Sequence, residues 1–384
     1  MAIFVDGAAM IICIDVSQRT KDELEKLLVV GGYRDYSEAV SVAVGNQLLL
    51  HMHSAEHGSK TALPEVMPAP TQIPHETEPK MLGSKGGVTS DANAVPQIFA
   101  ALDRAAKTPA LAPFPNDLFA IGQDVPVDRW IFGQHNKLLP VKATCRALAR
   151  LMLANSREGL RLTKAASDIA SEAVKLGDYL RHVDAISESH RDDALSFAFP
   201  YTDSPNGDKS RLRYANQFVA SFTKQGTLAG LPIELKLANR DHARNPQLLL
   251  TEAGWQFALM MNPILDSRKN GTQPRFSDEE VSFMIDHIRA HVPAEAFAFG
   301  AVLAAVIDGH NTPEKLDDAL EKYLPKRSDK PFTRAFLTTQ RAGVISRMID
   351  MALLQRLREG INVTYEATAK GSEYSPTLVP EATR

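Results

Sequence analysis

The feature that most constrains this chain of 384 residues is a proline-rich stretch between residues 53 and 126. Nine prolines lie between Pro64 and Pro115, scattered among Ser, Thr, Gly and Ala residues. Because proline fixes φ and lacks a backbone N–H, such a stretch cannot form a long helix or a central strand. The composition predicts a flexible linker with one short helix over Pro96–Ala106. The linker separates a small N-terminal part from a large C-terminal part.

The N-terminal part has the pattern of one strand followed by two helices. Apolar residues alternate at Ile12, Ile14 and Val16, which predicts a strand over residues 11–17. Leucines at helical spacing then predict a helix over residues 20–30, which the Gly31-Gly32 pair ends. A second helix follows to about residue 51; it begins with Asp35 and Glu38, the spacing of a capping box.

This strand–helix–helix pattern resembles the ribbon–helix–helix family of dimeric bacterial and archaeal repressors. The resemblance covers residues 11–51 and is carried by the strand, the leucine stripe, Gly31-Gly32-Tyr33 and Ser37-Glu38-Ala39-Val40. It implies that two chains pair their strands and intertwine their helices, since a unit of this size cannot bury its apolar faces alone. The implied dimer contacts are Ile12, Ile14, Val16, Leu24, Leu27, Val40 and Val44.

The outward face of the predicted strand departs from the family pattern. In that family the outward side chains of the ribbon read base edges in the major groove. Alternation places Ile11, Cys13 and Asp15 on that face here, and a carboxylate is repelled by phosphates. We interpret the module mainly as a dimerisation unit, with base reading by the ribbon as the open alternative.

The net charge of −3 hides a basic middle region. Residues 1–126 hold nine basic and 15 acidic residues, whereas residues 127–276 hold 21 basic and 15 acidic residues. Residues 277–384 hold 13 basic and 16 acidic residues, but eight of the basic ones fall within 326–358 beside only two acidic ones. Because phosphate binding depends on local charge, two basic zones remain candidates for nucleic-acid contact.

The first zone contains a helical pattern over Asp208–Gly226, a predicted strand over Ile233–Leu237, a polar turn and a second predicted strand over Leu248–Leu250. The closing stretch Leu250-Thr251-Glu252-Ala253-Gly254 resembles the end of winged-helix domains. The resemblance implies a recognition helix in the major groove and a basic wing on the flanking backbone. The implied DNA contacts are Lys209, Arg211, Arg213, Asn216, Gln217 and Lys224 on the helix, and Arg240, His242 and Arg244 on the wing.

Residues 326–371 show a second, weaker version of the same pattern. A predicted helix over Thr333–Leu357 contains Ile345-Ser346-Arg347 and a later leucine pair, and a short wing is predicted at Val363–Ala367. This too resembles winged-helix regulators. It implies further DNA contacts at Arg334, Arg341 and Arg347, although winged helices also serve protein–protein contact.

Motifs of catalysis and cofactor binding are absent from the sequence. It contains no phosphate-binding loop, no dinucleotide fingerprint, no Gly-x-Ser-x-Gly and no His-Glu-x-x-His. The histidines at 51, 53 and 57 lack a convincing fourth metal ligand. Two cysteines, Cys13 and Cys145, without Cys-x-x-Cys spacing are typical of a reducing compartment, hence the cytoplasm. No apolar run reaches the roughly 18 residues that cross a bilayer. We therefore expect no enzyme, no cofactor, no metal and no membrane partner.

Together these patterns predict a mainly α protein with a minor α+β component. The expected parts are a ribbon–helix–helix module over 1–52, a linker over 53–126, winged-helix-like domains over 127–270 and 277–371, and a disordered tail over 372–384. The predicted function is that of a homodimer that binds double-stranded DNA, most simply a transcriptional regulator. One alternative is a tandem winged-helix assembly subunit of a DNA-maintenance or phage-defence machine that acts through protein partners. Another is a regulator that senses a small ligand through residues 277–323.

Overall fold

The computed structural model describes residues 2–5, 8–11, 94–115, 119–120, 122–154, 159–187, 194–241, 246–266, 274–325 and 332–378. The chain forms two units, Met1–Gly86 and Gly87–Arg384. The described residues are mainly helical and contain four small antiparallel sheets of two strands each. This confirms the mainly α fold class.

In the N-terminal unit the described residues form one β-hairpin. Strand β1, Ala2–Val5, pairs with strand β2, Ala8–Ile11, in a register that places Ala2 opposite Ile11. The strand predicted over residues 11–17 therefore meets an observed strand at Ile11 alone. The remainder of the ribbon–helix–helix prediction lies outside the described residues, as do the seven implied dimer contacts.

The larger unit begins its regular structure with a helical half that carries two small hairpins. Its elements are α1 Leu139–Leu153, α2 Leu162–Ile186, α3 Gly207–Tyr214, β3 Ser221–Phe222, β4 Leu228–Ala229, α4 Leu231–Glu234, β5 Ala238–Arg240, β6 Leu248–Leu250, α5 Glu252–Leu259 and α6 Pro263–Asp266. A π-helical turn, Ala215–Val219, continues α3.

The second half contains longer helices and one longer hairpin. Its elements are α7 Asp278–His291, α8 Pro293–Ile307, α9 Pro313–Leu320, α10 Arg334–Asp350, β7 Leu354–Glu359, β8 Asn362–Ala367 and α11 Ala369–Leu378. Helix α7 begins with a complete capping box between Ser277 and Glu280, so the chain there carries its own start signal.

The two halves share part of their order of elements. In the first half, Arg161 between α1 and α2 forms an antiparallel bridge with Gln247, next to β6. In the second half, the backbone N–H of Tyr365 in β8 donates to the carbonyl of Asn311, between α8 and α9, at 2.8 Å. Each half thus contains three successive helices and a later hairpin, α1–α3 with β5–β6 and α8–α10 with β7–β8. In each case a residue between the first two of these helices is attached to the hairpin or to the residue next to it. No such repeat is visible in the sequence.

Buried charged groups join the two halves into one unit. The ammonium of Lys142 in α1 lies 2.9 Å from the Glu280 carboxylate in α7, and both side chains are fully buried. Burial lowers the pKa of Lys142 to about 8, although Glu280 opposes the shift. In α10, Asp350 accepts the backbone N–H of Leu138 at 2.9 Å and forms an ion pair with Arg275. These contacts connect residues of the first half with residues of the second half.

The end of the predicted linker is folded onto the core. Phe99 and Val125 are completely buried, and Leu102 is nearly so. A short 3-10 helix, Gln97–Phe99, replaces the helix predicted over Pro96–Ala106, and the Phe99 carbonyl accepts a bond from Arg146. The linker prediction is thus wrong for the described residues between 94 and 126, because these apolar side chains anchor the segment despite its prolines.

Three element boundaries also differ from the prediction. The helix predicted over Asp208–Gly226 ends at Val219, where a short hairpin begins. The strand predicted over Ile233–Leu237 is wrong: the chain forms α4 instead, which starts after Gly230 at φ 129° with a proline in its first turn. Helix α10 ends at Asp350, because the chain turns at Ala352, whose φ is 54°, and continues as β7.

Within the described ranges no single helix is long and apolar enough to cross a membrane. Helices α7 and α8 together have the necessary length and composition, but they are bent by 113° at their junction.

Candidate nucleic-acid interface

Helix α3 presents polar and basic side chains to solvent because its other face is firmly packed. Tyr214 and Phe218 are buried, and their ring centres lie 5.6 Å apart. Burial raises the pKa of the Tyr214 phenol, which therefore stays neutral. The opposite face carries Lys209, Arg213 and Asn216, which are exposed and spaced by about one helical turn each. These three residues of the predicted set are therefore accessible from solvent.

A further basic residue on α3, Arg211, already has a carboxylate partner. The guanidinium of Arg211 forms an ion pair with Asp208, three residues earlier, and both side chains are exposed. An exposed pair of this kind is weak, so Arg211 can exchange its partner for a phosphate. By contrast, among the described residues neither Lys209 nor Arg213 lies in an ion pair.

Helix α3 borders a groove of about 1170 Å³, which we call the basic groove. Its walls come from α2, from α3, from the loop 194–206 between them, from residues 133–136 and from α10. The cationic members of the lining are Arg181, Lys209 and Arg213, and the described lining contains no carboxylate. The basic groove therefore attracts anions.

Carboxylates of α2 hold the loop that forms one wall. Asp184 accepts the backbone N–H groups of Leu195 and Ser196 at 2.8 and 3.0 Å. One helical turn and a half earlier, Asp178 accepts the backbone N–H of Thr202 at 3.0 Å. Both carboxylates therefore position the loop, and neither of them lines the basic groove.

The same loop supplies two aromatic side chains to the basic groove. Phe197 is 43% exposed although it is a large apolar residue. The Tyr201 ring lies under the guanidinium of Arg181, 3.9 Å from ring centre to Cζ. Such a cation–π stack fixes the Arg181 side chain in the wall of the groove. Sequence reasoning missed these three residues; the one signal available was the aromatic run Phe197-Ala198-Phe199-Pro200-Tyr201.

A close approach between two glycines brings α10 to the basic groove. A Cβ on Gly133 would lie 2.0 Å from the Thr339 carbonyl oxygen, and one on Gly343 would lie 2.3 Å from that of Gly133. The side chain of Gln340 accepts the Gly133 N–H and donates to the Val127 carbonyl. These contacts place Thr338 and Thr339 beside Gln134 and Asn136, which were also not predicted.

Gln217 links α3 to the same wall. Its side-chain amide donates to Gln134 at 3.2 Å, and both residues line the basic groove. The structure therefore brings Lys209, Arg213 and Gln217 of the predicted set together. Asn216 is exposed on the same helix but does not line the groove.

A second exposed basic pair lies at the small hairpins after α3. Arg240 at the end of β5 places its guanidinium 5.7 Å from the ring centre of Phe222 in β3, and Lys224 follows two residues later. Both cationic residues are exposed. We call Lys224 and Arg240 the hairpin pair. The other two predicted wing residues, His242 and Arg244, lie outside the described residues.

Two of the three predicted contacts in the second half are corrected by the structure. The guanidinium of Arg347 is completely buried, where it bonds both Glu295 oxygens and the His135 carbonyl. Arg341 is buried with Asp317 at 2.6 Å. Neither side chain can reach a phosphate. Arg334 is exposed and forms an ion pair with Asp318 at 2.8 Å, and that bond raises the pKa of its guanidinium.

The residues that the structure describes contain no group of three or more His, Cys, Asp or Glu side chains that could hold a metal ion. The histidines at 51, 53 and 57 lie outside those residues. Cys145 is fully buried in α1, and burial raises the pKa of its thiol to about 12.

No known protein family, curated protein or solved structure matches this chain.

Proposed function

We propose that this protein is a homodimer that binds duplex DNA, most simply as a transcriptional regulator. The observation that carries the proposal is the exposed stripe formed by Lys209 and Arg213 on α3 and Asn216 on the π-helical turn that continues it. The stripe lies beside a groove whose described lining has no carboxylate. Arginine, lysine and asparagine are the side chains that bind base edges and phosphates. A helix with such a stripe, held by buried aromatic residues, is suited to the major groove.

The order of elements supports assigning each half to the winged-helix type. In the first half α3 would be the recognition helix and β5–β6 the wing, with Arg240 at the end of β5 next to the turn. In the second half α10 and β7–β8 would take these places. The burial of Arg341 and Arg347 indicates that the second half contributes mainly structure, so we assign the DNA contacts to the first half.

The hairpin pair extends the proposed contact beyond α3. Lys224 and Arg240 are exposed cations near Phe222, where a DNA backbone flanking the major groove would pass. In this arrangement α3 reads the bases and the hairpin pair holds phosphates. Dimerisation through residues 11–51, as the ribbon–helix–helix resemblance implies, would place two copies on adjacent half-sites and raise their effective concentration.

A gel-shift assay with a duplex of random sequence tests the proposal. Wild-type protein should shift the duplex at low salt, and Lys224→Ala/Arg240→Ala should weaken the shift. A matched control is Lys175→Ala/Arg289→Ala, which removes two exposed cations on α2 and α7, neither of which lines the basic groove. Absence of a shift at low salt, or equal weakening by both double variants, would overturn the proposal.

One observation favours the alternative of an assembly subunit that acts through protein partners. Ile361, in the turn between β7 and β8, is 98% exposed, and Leu212 on α3 is 59% exposed. Burial of such an apolar side chain against a protein partner would be favourable. The gel-shift assay separates the two functions, because an assembly subunit without phosphate contacts would not bind DNA at low salt.

A further inference from the structure

We propose that the basic groove binds an unpaired strand of DNA, with its phosphates on the cationic side chains and its bases stacked on the aromatic ones. The inference rests on the proposed function in one respect, since Lys209 and Arg213 belong both to the stripe on α3 and to the groove. It adds a second form of DNA to the duplex already assigned.

The charge of the groove fits a phosphate backbone. Arg181 of α2 and Lys209 and Arg213 of α3 line the same recess, and the described lining has no carboxylate to repel phosphates. The nearest carboxylates of α2, Asp178 and Asp184, accept backbone N–H groups of the loop. A strand following α3 would therefore pass several cations in succession.

Aromatic side chains distinguish this groove from a simple phosphate site. Phe197 exposes 43% of its surface within a polar recess, where an exposed phenyl ring has no role in the core. The ammonium of Lys137 lies 5.7 Å from the centre of that ring, and Arg181 stacks on Tyr201 at 3.9 Å. Alternating aromatic and cationic groups are the arrangement by which proteins hold unpaired bases and their phosphates.

The remaining lining fits the edges of unpaired bases. It supplies amides and hydroxyls, which donate and accept hydrogen bonds without carrying charge. These side chains are Gln134, Asn136, Asn206, Gln217, Thr338 and Thr339. In a duplex the pairing edges are occupied by the opposite strand, so such contacts are available only from a single strand.

The size and shape of the groove favour a single strand over a small ligand and over a duplex. Its volume of about 1170 Å³ exceeds the roughly 300–1000 Å³ of pockets for small ligands. A duplex accepts a protruding helix in its major groove, whereas a recess between α2, α3 and α10 accepts something narrower. An extended strand with splayed bases meets both conditions.

Fluorescence anisotropy with three labelled probes tests the inference on the full chain. The probes are a thymine strand of about 16 nucleotides, near the upper end of known site sizes, an abasic strand of the same length and charge, and a duplex of the same length. We expect the thymine strand to bind at least about fivefold more tightly than the abasic strand, because one stacked base contributes that much.

The variant Phe197→Ala should lose this preference and bind the thymine strand at least about fivefold more weakly, while its affinity for the duplex stays unchanged. Phe114→Ala is the matched control, since Phe114 is 38% exposed and does not line the groove. Equal affinity of the wild type for thymine and abasic strands would overturn the inference. Equal behaviour of the two phenylalanine variants would overturn it as well.

The hairpin pair separates this inference from the proposed function. Lys224→Ala/Arg240→Ala should weaken duplex binding and leave the thymine strand unaffected, since neither residue lines the groove. If the wild type binds the duplex but does not prefer the thymine strand over the abasic strand, the inference alone is overturned. Binding of the thymine strand by a protein that does not bind the duplex overturns the proposed function alone.

Discussion

Arg347 and Glu295 form a completely buried ion pair, in which the guanidinium of α10 donates to both carboxylate oxygens of α8 at 2.5 and 2.9 Å. A further N–H of the same guanidinium donates to the carbonyl of His135, which lies between Gln134 and Asn136 of the groove lining. Burial raises the pKa of the Glu295 carboxyl, and Arg347 opposes that rise. One side chain thus connects α8, α10 and the first half of the unit.

Replacing Arg347 should therefore destabilise the whole unit. We expect Arg347→Met to lower the free energy of unfolding by about 3–5 kcal/mol, because it leaves Glu295 buried without a counter-charge. Urea unfolding measures the change. The double variant Arg347→Met/Glu295→Met should recover most of the loss. Arg334→Met is the control, since its ion pair is exposed and contributes little to stability. A small loss for Arg347→Met would show that the pair is not buried in solution.

A glycine in α2 permits the close packing of the loop that carries Phe197 and Tyr201. A Cβ on Gly177 would lie 2.0 Å from the Pro200 carbonyl oxygen. Gly177→Ala should therefore lower the melting temperature, although alanine is normally favoured over glycine within a helix by about 1 kcal/mol. Gly207→Ala in the first turn of α3, where a Cβ meets nothing within 4 Å, is the control. A melting temperature raised equally by both variants would contradict the packing.

His287 in α7 should make stability fall in mild acid. Its Nε2 lies 2.7 Å from the Leu235 carbonyl oxygen, His291 and Lys236 lie nearby, and burial lowers its pKa to about 4. The unfolded chain therefore binds a proton near pH 6.5 that the folded chain does not take up until about pH 4. This group lowers stability as the pH falls through that window, by at most about 1.4 kcal/mol per pH unit.

The variant His287→Phe isolates that effect, since it keeps an aromatic ring among Phe283 and His291 but does not titrate. Urea unfolding of both proteins between pH 7 and pH 4 should give a flatter dependence for the variant. As the pH falls, the unfolding free energy of the wild type should decrease more than that of the variant. Parallel curves would show that His287 is accessible to protons in the folded protein.

Dimerisation remains a prediction from the sequence, since residues 12–51 lie outside the described residues. We expect light scattering after size-exclusion chromatography to give the mass of two chains. Leu27→Glu and Val40→Glu should each reduce it to one, because a charge in the implied apolar interface must be desolvated. Lys26→Glu, at a polar position of the same predicted helix, should leave the dimer intact. A wild-type mass of one chain would contradict the predicted dimer.

Local patterns predicted the long helices well. Apolar spacing predicts helices over Pro140–Asn155, Thr163–Ala185, Ser277–Ala290 and Ala294–Ile307, and the observed α1, α2, α7 and α8 lie within two residues of these bounds. Such spacing is a signal contained in the segment itself, and α7 adds a capping box. The outward stripe on α3 was predicted for the same reason. The short elements were harder to predict from the sequence. Helix α4 forms where a strand was expected over Ile233–Leu237, because the proline in its first turn favours a helix start more than the alternating apolar residues favour a strand.

The features that depend on distant partners were not predictable. Arg341 and Arg347 have the pattern of a basic surface because their carboxylates, Asp317 and Glu295, are 24 and 52 residues away. Phe99 and Val125 lie in a segment with the composition of a linker, and only the folded core shows that they are anchors. The basic groove combines α2, the loop 194–206 and α3 with two distant segments, residues 133–136 and α10, so its aromatic members could not be assigned to it from local pattern.

The salt dependence of duplex binding tests the central claim most directly. Affinity should fall steeply between about 50 and 200 mM salt, because each phosphate contact adds about 0.9 to the slope of log affinity against log salt. Lys209→Ala/Arg213→Ala should lower that slope by about 2, and Lys175→Ala/Arg289→Ala should leave it unchanged. An identical slope for wild type and the α3 variant, or no binding at the lower salt, would contradict the assignment of α3 as the DNA-contacting helix.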